Sequence, residues 1–299
     1  MARGKADASD RIAALQAMMS PCRLCPRRCG VDRPAGKRGR CGAGPLATVA
    51  SAGPHFGEEA CLVGRGGSGT IFLAGCSLLC VFCQNQDISH AVKGQEMDAG
   101  ALAEAMRALE ARGCENINLV TPTHMAPALA AAIVEARARG LKVPIVWNSS
   151  GYEAVEVLRL MAGLVEIYMP DFKFSLSSSA ARYCDAPDYP ARASTAILEM
   201  RRQVGDLAIS DGVARRGLLV RHLVMPGGAA EGREILSFLA SVSPRTFVNV
   251  MGQYRPEAKV RDPASGGGYA EIARPATDDE VRSVRDYART LGLRLAEDA

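Results

Sequence analysis

The sequence Gly75-Cys76-Ser77-Leu78-Leu79-Cys80-Val81-Phe82-Cys83-Gln84-Asn85 carries three cysteines at C-x3-C-x2-C spacing. It follows Thr70-Ile71-Phe72-Leu73-Ala74, an apolar run typical of a buried strand. Cysteine thiolates are the usual ligands of iron–sulfur clusters, and a [4Fe–4S] cluster has four irons to be ligated. Cys76, Cys80 and Cys83 supply only three ligands, so one iron would keep an open position. The pattern predicts a cluster that takes part in chemistry, on a loop after the first strand of a sheet.

A structural zinc site is the alternative for the same three cysteines. Zinc accepts three cysteines and one histidine, and His90 follows Cys83 closely in the sequence. The position of the cysteines directly after a strand favours a cofactor held at the edge of a sheet, and therefore the cluster.

Length and composition predict one large α/β domain with a small appendage. The chain has 299 residues, 48% of them hydrophobic, and a net charge of +4, which is too small to indicate a nucleic-acid partner. We expect an N-terminal extension over residues 1–68 and a barrel with a C-terminal helix over residues 69–299. Ten cysteines, most of them at metal-ligand spacings, together with a polar N-terminus and no long apolar run, predict a cytoplasmic protein that does not enter membranes.

From residue 70 onward, strands and helices alternate as in a parallel βα array. The predicted strands span residues 70–74, 117–120, 143–147, 165–169, 218–224 and 247–251. Residues 175–190 are expected to be a polar connection, and the last helix begins at a capping box, Thr277 to Glu280. Six strands are too few for a closed eight-stranded barrel, and in parallel barrels the chemistry lies at the carboxyl ends of the strands.

The N-terminal extension carries its own set of four cysteines, Cys22, Cys25, Cys29 and Cys41. They lie among glycines and prolines that cannot build a core, so a metal would have to order the segment. Zinc, a rubredoxin-like iron or a second [4Fe–4S] cluster would each complete a closed four-thiolate set. Seven Lys and Arg residues lie between these cysteines without any aromatic residue for base stacking, which argues against a nucleic-acid function.

The C-x3-C-x2-C loop after a first strand resembles the radical S-adenosylmethionine (SAM) enzymes, whose open (β/α)6 partial barrel also matches the strand count. The resemblance implies that the fourth iron binds SAM. An electron from the cluster then cleaves SAM to methionine and a 5′-deoxyadenosyl radical, which abstracts hydrogen from a substrate. It further implies oxidoreductase chemistry and an electron donor of the flavodoxin or ferredoxin type.

Three segments are more specifically similar to the pyruvate formate-lyase activating enzymes: residues 69–85, Asp171-Phe172-Lys173 and residues 220–227. This resemblance implies that SAM is bound by Phe82, Asn148, Ser149, Asp171, Lys173 and Arg221. The sequence departs from these enzymes at residues 121–124, Thr-Pro-Thr-His, where they carry a Gly-Gly-Glu-like segment. The chain therefore most resembles an uncharacterised branch of activating-enzyme homologues.

Polar residues at other strand ends are the candidates for contact with a substrate: His124, His222, Gln253 and Tyr254. His55, Glu58 and Glu59 precede the first strand and are interpreted as polar loop residues, with His55 near the barrel mouth. Three hypotheses follow: a radical SAM enzyme whose substrate is a small molecule or a protein, a glycyl-radical activase that acts on a protein partner, and a non-catalytic binding module stabilised by metal.

Overall fold

A mostly parallel β-sheet lies at the centre of the protein in a computed structural model that describes residues 2–262 and 268–296. The strands of these residues are β1 (Ala47–His55), β2 (Ser68–Leu73), β3 (Gln95–Met97), β4 (Ile117–Val120), β5 (Ile145–Ser149), β6 (Ile167–Pro170), β7 (Ala208–Ser210), β8 (Val213–Leu223), β9 (Phe247–Met251) and β10 (Arg294–Leu295). The α-helices are α1 (Ala2–Ala17), α2 (Ala60–Val63), α3 (Gln86–Ser89), α4 (Ala99–Ala111), α5 (Ala126–Ala138), α6 (Val155–Met161), α7 (Ser177–Cys184), α8 (Tyr189–Val204), α9 (Ala229–Val242) and α10 (Asp278–Thr290).

The strand order confirms the predicted partial barrel. Strands β2, β4, β5, β6, β8 and β9 are neighbours in that order and run parallel, as the six-strand prediction requires. Short strand β10 extends the parallel array beyond β9, while β1 and then β3 pair antiparallel at the opposite end. The sheet is therefore wider than predicted at both ends.

Local sequence signals fix several helix boundaries. Asp98 caps α4, its side chain accepting a hydrogen bond from the Ala101 amide at 2.8 Å. The predicted capping box of Thr277 and Glu280 opens α10. The predicted polar connection over residues 175–190 contains a helix that was not predicted, Ser177–Cys184 (α7).

The connection between β1 and β2 fills the barrel at the amino-terminal ends of its strands. Cys61 and Leu62 of α2 pack against residues of β5, β6, β8 and β9, including Ile167, Leu219 and Phe247. Strand β1 pairs along β2, so the sheet begins before the boundary that we predicted at residue 68. Residues 47–63 are thus structurally part of the barrel, and α2 forms the floor beneath its carboxyl-terminal face.

The four-cysteine segment has little regular structure of its own. Between α1 and β1, residues 18–46 form neither helix nor strand beyond one isolated bridge, Met19 to Cys22. In the part of the chain that the structure describes, no helix is both long and apolar enough to cross a membrane.

Candidate active site

A cavity of about 370 Å³ lies at the carboxyl ends of the parallel strands. Such a volume falls in the range of roughly 300–1,000 Å³ that is usual for small-molecule sites. Its wall brings together ten residues that matter for the predicted chemistry: Cys76, Cys80, Cys83, Phe82, Asn148, Ser149, Asp171, Lys173, Arg221 and Gln253. The structure therefore collects the cluster cysteines and every predicted SAM contact around one space.

The backbone of the cysteine loop is tightly constrained at its start. Gly75 has φ +82°, and a Cβ at this position would lie 2.3 Å from the Cys41 carbonyl oxygen. Only glycine accommodates both the left-handed conformation and this close approach. The loop that carries Cys76 can therefore follow β2 only because residue 75 is a glycine.

The buried thiols suit a cluster better than a single ion. Burial raises the pKa of Cys76 to about 12 and also raises that of Cys83, so deprotonation requires a nearby cation. Among residues 2–262 and 268–296, no three ligand side chains converge on one ion position. His90 is exposed and lies outside the lining of the cavity, so the zinc alternative lacks its fourth ligand.

Cys184, at the end of α7, is a cysteine that the sequence analysis missed. Its buried Sγ donates to Cys80 Sγ across 3.4 Å. Two sulfurs in contact are too close to ligate different irons of one cluster, so in this geometry Cys184 would lie beside a ligand of the predicted cluster and would not cap its fourth iron. Its separation from Cys80 by 104 residues gave no sequence signal for the contact.

Opposite the cysteines, the wall carries a chain of alternating charges. Asp171 accepts from Lys173 Nζ at 2.6 Å and from Arg221 Nε at 3.1 Å. Arg221 also donates to Asn148 Oδ1 at 2.7 Å and lies 3.5 Å from a Glu58 carboxylate oxygen. Burial alone would raise the pKa of Asp171, but the two cations outweigh it and hold that pKa below its usual value.

The charged chain continues into the segment that precedes the first predicted strand. His55 Nδ1 lies 3.2 Å from Glu58 Oε1, and both residues line the cavity. Burial raises the pKa of Glu58, with Arg221 acting in the opposite direction. From the sequence both are interpreted as polar loop residues, because nothing local indicates that this segment reaches the cavity.

The other predicted SAM contacts lie at the rim of the cavity. Phe82 is buried and meets Phe174, Tyr183 and Tyr254 edge-on, with ring centroids 5.9–6.4 Å apart. Ser149 is buried, and its Oγ accepts from the Gly151 amide at 3.2 Å.

Three of the four predicted substrate contacts lie elsewhere. His124 is buried outside the cavity, with Nε2 2.9 Å from the Ala74 carbonyl oxygen. Tyr254 donates its hydroxyl hydrogen to the Ile272 carbonyl at 2.8 Å and is also buried. His222 borders a second cavity of about 340 Å³, because side chains alternate along β8 and Arg221 takes the inward position. Their positions do not support the prediction that they face the substrate, and only Gln253 lines the cavity.

Comparison with known proteins identifies the family. Residues 70–227 match the model of the Radical SAM superfamily. The chain belongs to the radical SAM superfamily. It is 31% identical over 290 residues to Uncharacterized protein MJ0674 of Methanocaldococcus jannaschii, covering 93% of this chain and 77% of that protein.

A solved radical SAM structure shows limited similarity. It is the methyltransferase TsrM from Kitasatospora setae with cobalamin and a [4Fe–4S] cluster bound, at 16% identity and a TM-score of 0.44. The match covers 62% of this chain and about a third, 34%, of TsrM. Family membership itself shows that this is a radical SAM enzyme, and the family uses a [4Fe–4S] cluster and SAM.

The N-terminal cysteines lie next to the loop that carries Cys76. Cys22, Cys25, Cys29 and Cys41 line one small void together with Arg33 and His124. Three of these cysteines are buried and Cys29 is exposed. Burial raises the pKa of Cys25 to about 12, so a cation is again required for the thiolate form. The four cysteines supply the ligand set of a closed metal site, and their thiols would have to move to converge on one ion position.

Proposed function

We propose that Cys76, Cys80 and Cys83 hold the [4Fe–4S] cluster of this radical SAM enzyme and that the adjoining cavity binds SAM. The observation that carries the proposal is the shared cavity, whose wall contains both these thiols and the charged chain around Asp171. When bound, the cluster supplies the electron that cleaves SAM into methionine and a 5′-deoxyadenosyl radical able to abstract hydrogen from a substrate.

The protein's own residues have separate tasks in this proposal. Lys173, Asp171 and Arg221 offer both signs of charge for the amino, carboxylate and ribose groups of SAM. They are already held by one another, so SAM meets an arranged site rather than mobile side chains. Phe82 offers an apolar ring for the adenine. Gln253, His55 and Glu58 remain as wall groups for a substrate.

Formation of 5′-deoxyadenosine tests the proposal. Protein reconstituted anaerobically with iron and sulfide is reduced with dithionite in the presence of SAM, and the product is quantified by mass spectrometry. We expect 5′-deoxyadenosine from the wild type and none from Cys80→Ala, with Cys61→Ala as a control for loss of a buried cysteine outside the cavity. Absence of product from the wild type, or equal product from Cys80→Ala, would contradict the proposal.

A glycyl-radical activase is the second candidate. It is favoured by the similarity of Asp171-Phe172-Lys173 and of residues 220–227 to segments of the activating enzymes. In this case the hydrogen donor is a glycine of a protein partner, and a flavodoxin or ferredoxin supplies the electron. A glycine-centred radical in a co-purified partner, detected by electron paramagnetic resonance (EPR), would support the activase. The non-catalytic module is not retained, because the family is one of enzymes.

A further inference from the structure

Arg27 connects the four-cysteine segment to the loop that carries the cluster cysteines. Its Nε donates to the Ser77 carbonyl at 3.0 Å, and its Nη2 lies 3.5 Å from the Leu78 carbonyl. The same guanidinium donates to the Cys184 carbonyl at 2.7 Å and to the Asp185 carbonyl. One side chain, two residues after Cys25, therefore holds the cluster loop and the end of α7 together.

The end of α7 meets the cluster loop directly as well. The Val81 amide donates to the Tyr183 carbonyl at 2.9 Å, and the Cys184 thiol contacts Cys80. Arg40 of the four-cysteine segment forms an ion pair with Asp185 at 2.6 Å. The carbonyls at a helix carboxyl end attract cations, so both arginines have a favourable partner there.

A second line of contact runs through Cys41. Its carbonyl oxygen lies against Gly75, immediately before Cys76. Arg33, which is 2% exposed, donates to the carbonyls of Gly44 and His124, and His124 in turn contacts the Ala74 carbonyl. Cys41 thus touches Gly75 directly, and Arg33, which lies between Cys29 and Cys41, reaches Ala74 through His124.

The segment that makes these contacts has little means of ordering itself. Residues 18–46 are irregular, and connections of such length without secondary structure are uncommon in compact domains. A metal held by Cys22, Cys25, Cys29 and Cys41 would join the two ends of the segment and fix the residues between them.

We propose that the four-cysteine segment is a metal-dependent brace for the cluster loop, with Arg27 as its main positioning residue. Metal at the four N-terminal cysteines keeps Arg27 and the Cys41 carbonyl against residues 75–78, and these contacts hold Cys76 and Cys80 where the cluster binds. The inference rests on the proposed assignment of the cluster to Cys76, Cys80 and Cys83. It applies equally to zinc and to iron at the N-terminal site.

The test compares Arg27→Met with Arg23→Met in the full-length reconstituted protein. Arg23 is an exposed arginine of the same segment and, among the residues that the structure describes, has no ion-pair or hydrogen-bond partner through its side chain, so it controls for loss of charge. The measurement is the rate at which an iron chelator removes the cluster, followed by visible absorbance. We expect roughly tenfold faster release from Arg27→Met, since hydrogen bonds contribute about 0.5–1.5 kcal/mol each and about 1.4 kcal/mol is tenfold.

Cys29→Ser provides a second, independent variant, because it weakens the N-terminal metal site at its exposed ligand. We expect loss of the N-terminal metal to accelerate cluster release and to change the EPR line shape of the reduced cluster. Release at the wild-type rate from both Arg27→Met and Cys29→Ser would overturn the brace. If the proposed cluster assignment is itself wrong, the result differs from this one, because the wild type would then show no cluster signal at Cys76, Cys80 and Cys83.

Discussion

Replacing Asp171 by Asn removes one charge from the cavity wall while keeping the shape of the side chain. Asp171, Lys173 and Arg221 have only 14–18% of their side-chain surface exposed, so their charges are weakly screened by solvent. Breaking a buried pair by removal of one partner costs roughly 3–5 kcal/mol. Arg221 keeps its contacts with Asn148 and Glu58, so we expect a value near the lower limit, about 3 kcal/mol.

Urea unfolding of the cluster-free protein, followed by far-ultraviolet circular dichroism, measures this loss. The matched control is Asp279→Asn, where the carboxylate is 88% exposed and pairs with Arg282 on the surface, so the change should stay below about 1 kcal/mol. The folded-state pKa of Asp171 is lowered, so its contribution is complete above the ordinary value of 3.8 and is lost as the pH falls through the folded value. The electrostatic argument would be refuted if Asp171→Asn lost no more unfolding free energy at pH 7 than Asp279→Asn does. It would also be refuted if the loss in Asp171→Asn grew as the pH falls.

Three further predictions, at Glu153, Gly75 and Cys184, test other parts of the account. Burial raises the pKa of Glu153 from its ordinary value of 4.5 to about 7, so the folded protein holds a proton that the unfolded chain releases. The free energy of unfolding therefore falls as the pH rises from 4.5 to about 7. Glu153→Gln should remove that decline, about 3 kcal/mol in unfolding free energy, and an unchanged pH profile would contradict it. Gly75→Ala should prevent cluster assembly, because its Cβ would meet the Cys41 carbonyl, and normal iron content after reconstitution would argue otherwise. Cys184→Ala should lower the reduction potential of the cluster in an EPR-monitored titration, since it removes a donor to a ligand sulfur, whereas Cys184→Ser should shift it less. Identical reduction potentials in the wild type and Cys184→Ala would disprove that the Cys184 thiol tunes the cluster.

The six parallel strands were predictable because each is a short apolar run between turn signals, such as Ile117–Val120 and Phe247–Met251. Strand β1 was not, since Gly53 and Pro54 give its sequence the composition of a loop. It forms because its backbone pairs along β2, and that pairing depends on the tertiary fold.

The candidate site was predictable where a local pattern marked it and unpredictable where the fold brings distant residues together. The three clustered cysteines and Asp171 follow strands directly, so the barrel rule places them correctly. Glu58 lines the cavity from a floor segment and Cys184 contacts Cys80 from a helix end, without a sequence pattern to indicate either position. The position of His222 could have been deduced, because an inward Arg221 requires an outward neighbour on the same strand.

Electron–nuclear double resonance tests the central claim most directly. The sample is the reduced, reconstituted protein with SAM that carries nitrogen-15 in its amino group. We predict a nitrogen coupling to the cluster in the wild type, because the open iron left by three thiolates binds SAM, and a weakened coupling in Asp171→Asn. A cluster signal without any coupling to the labelled nitrogen would show that SAM does not bind the open iron, and would contradict the account.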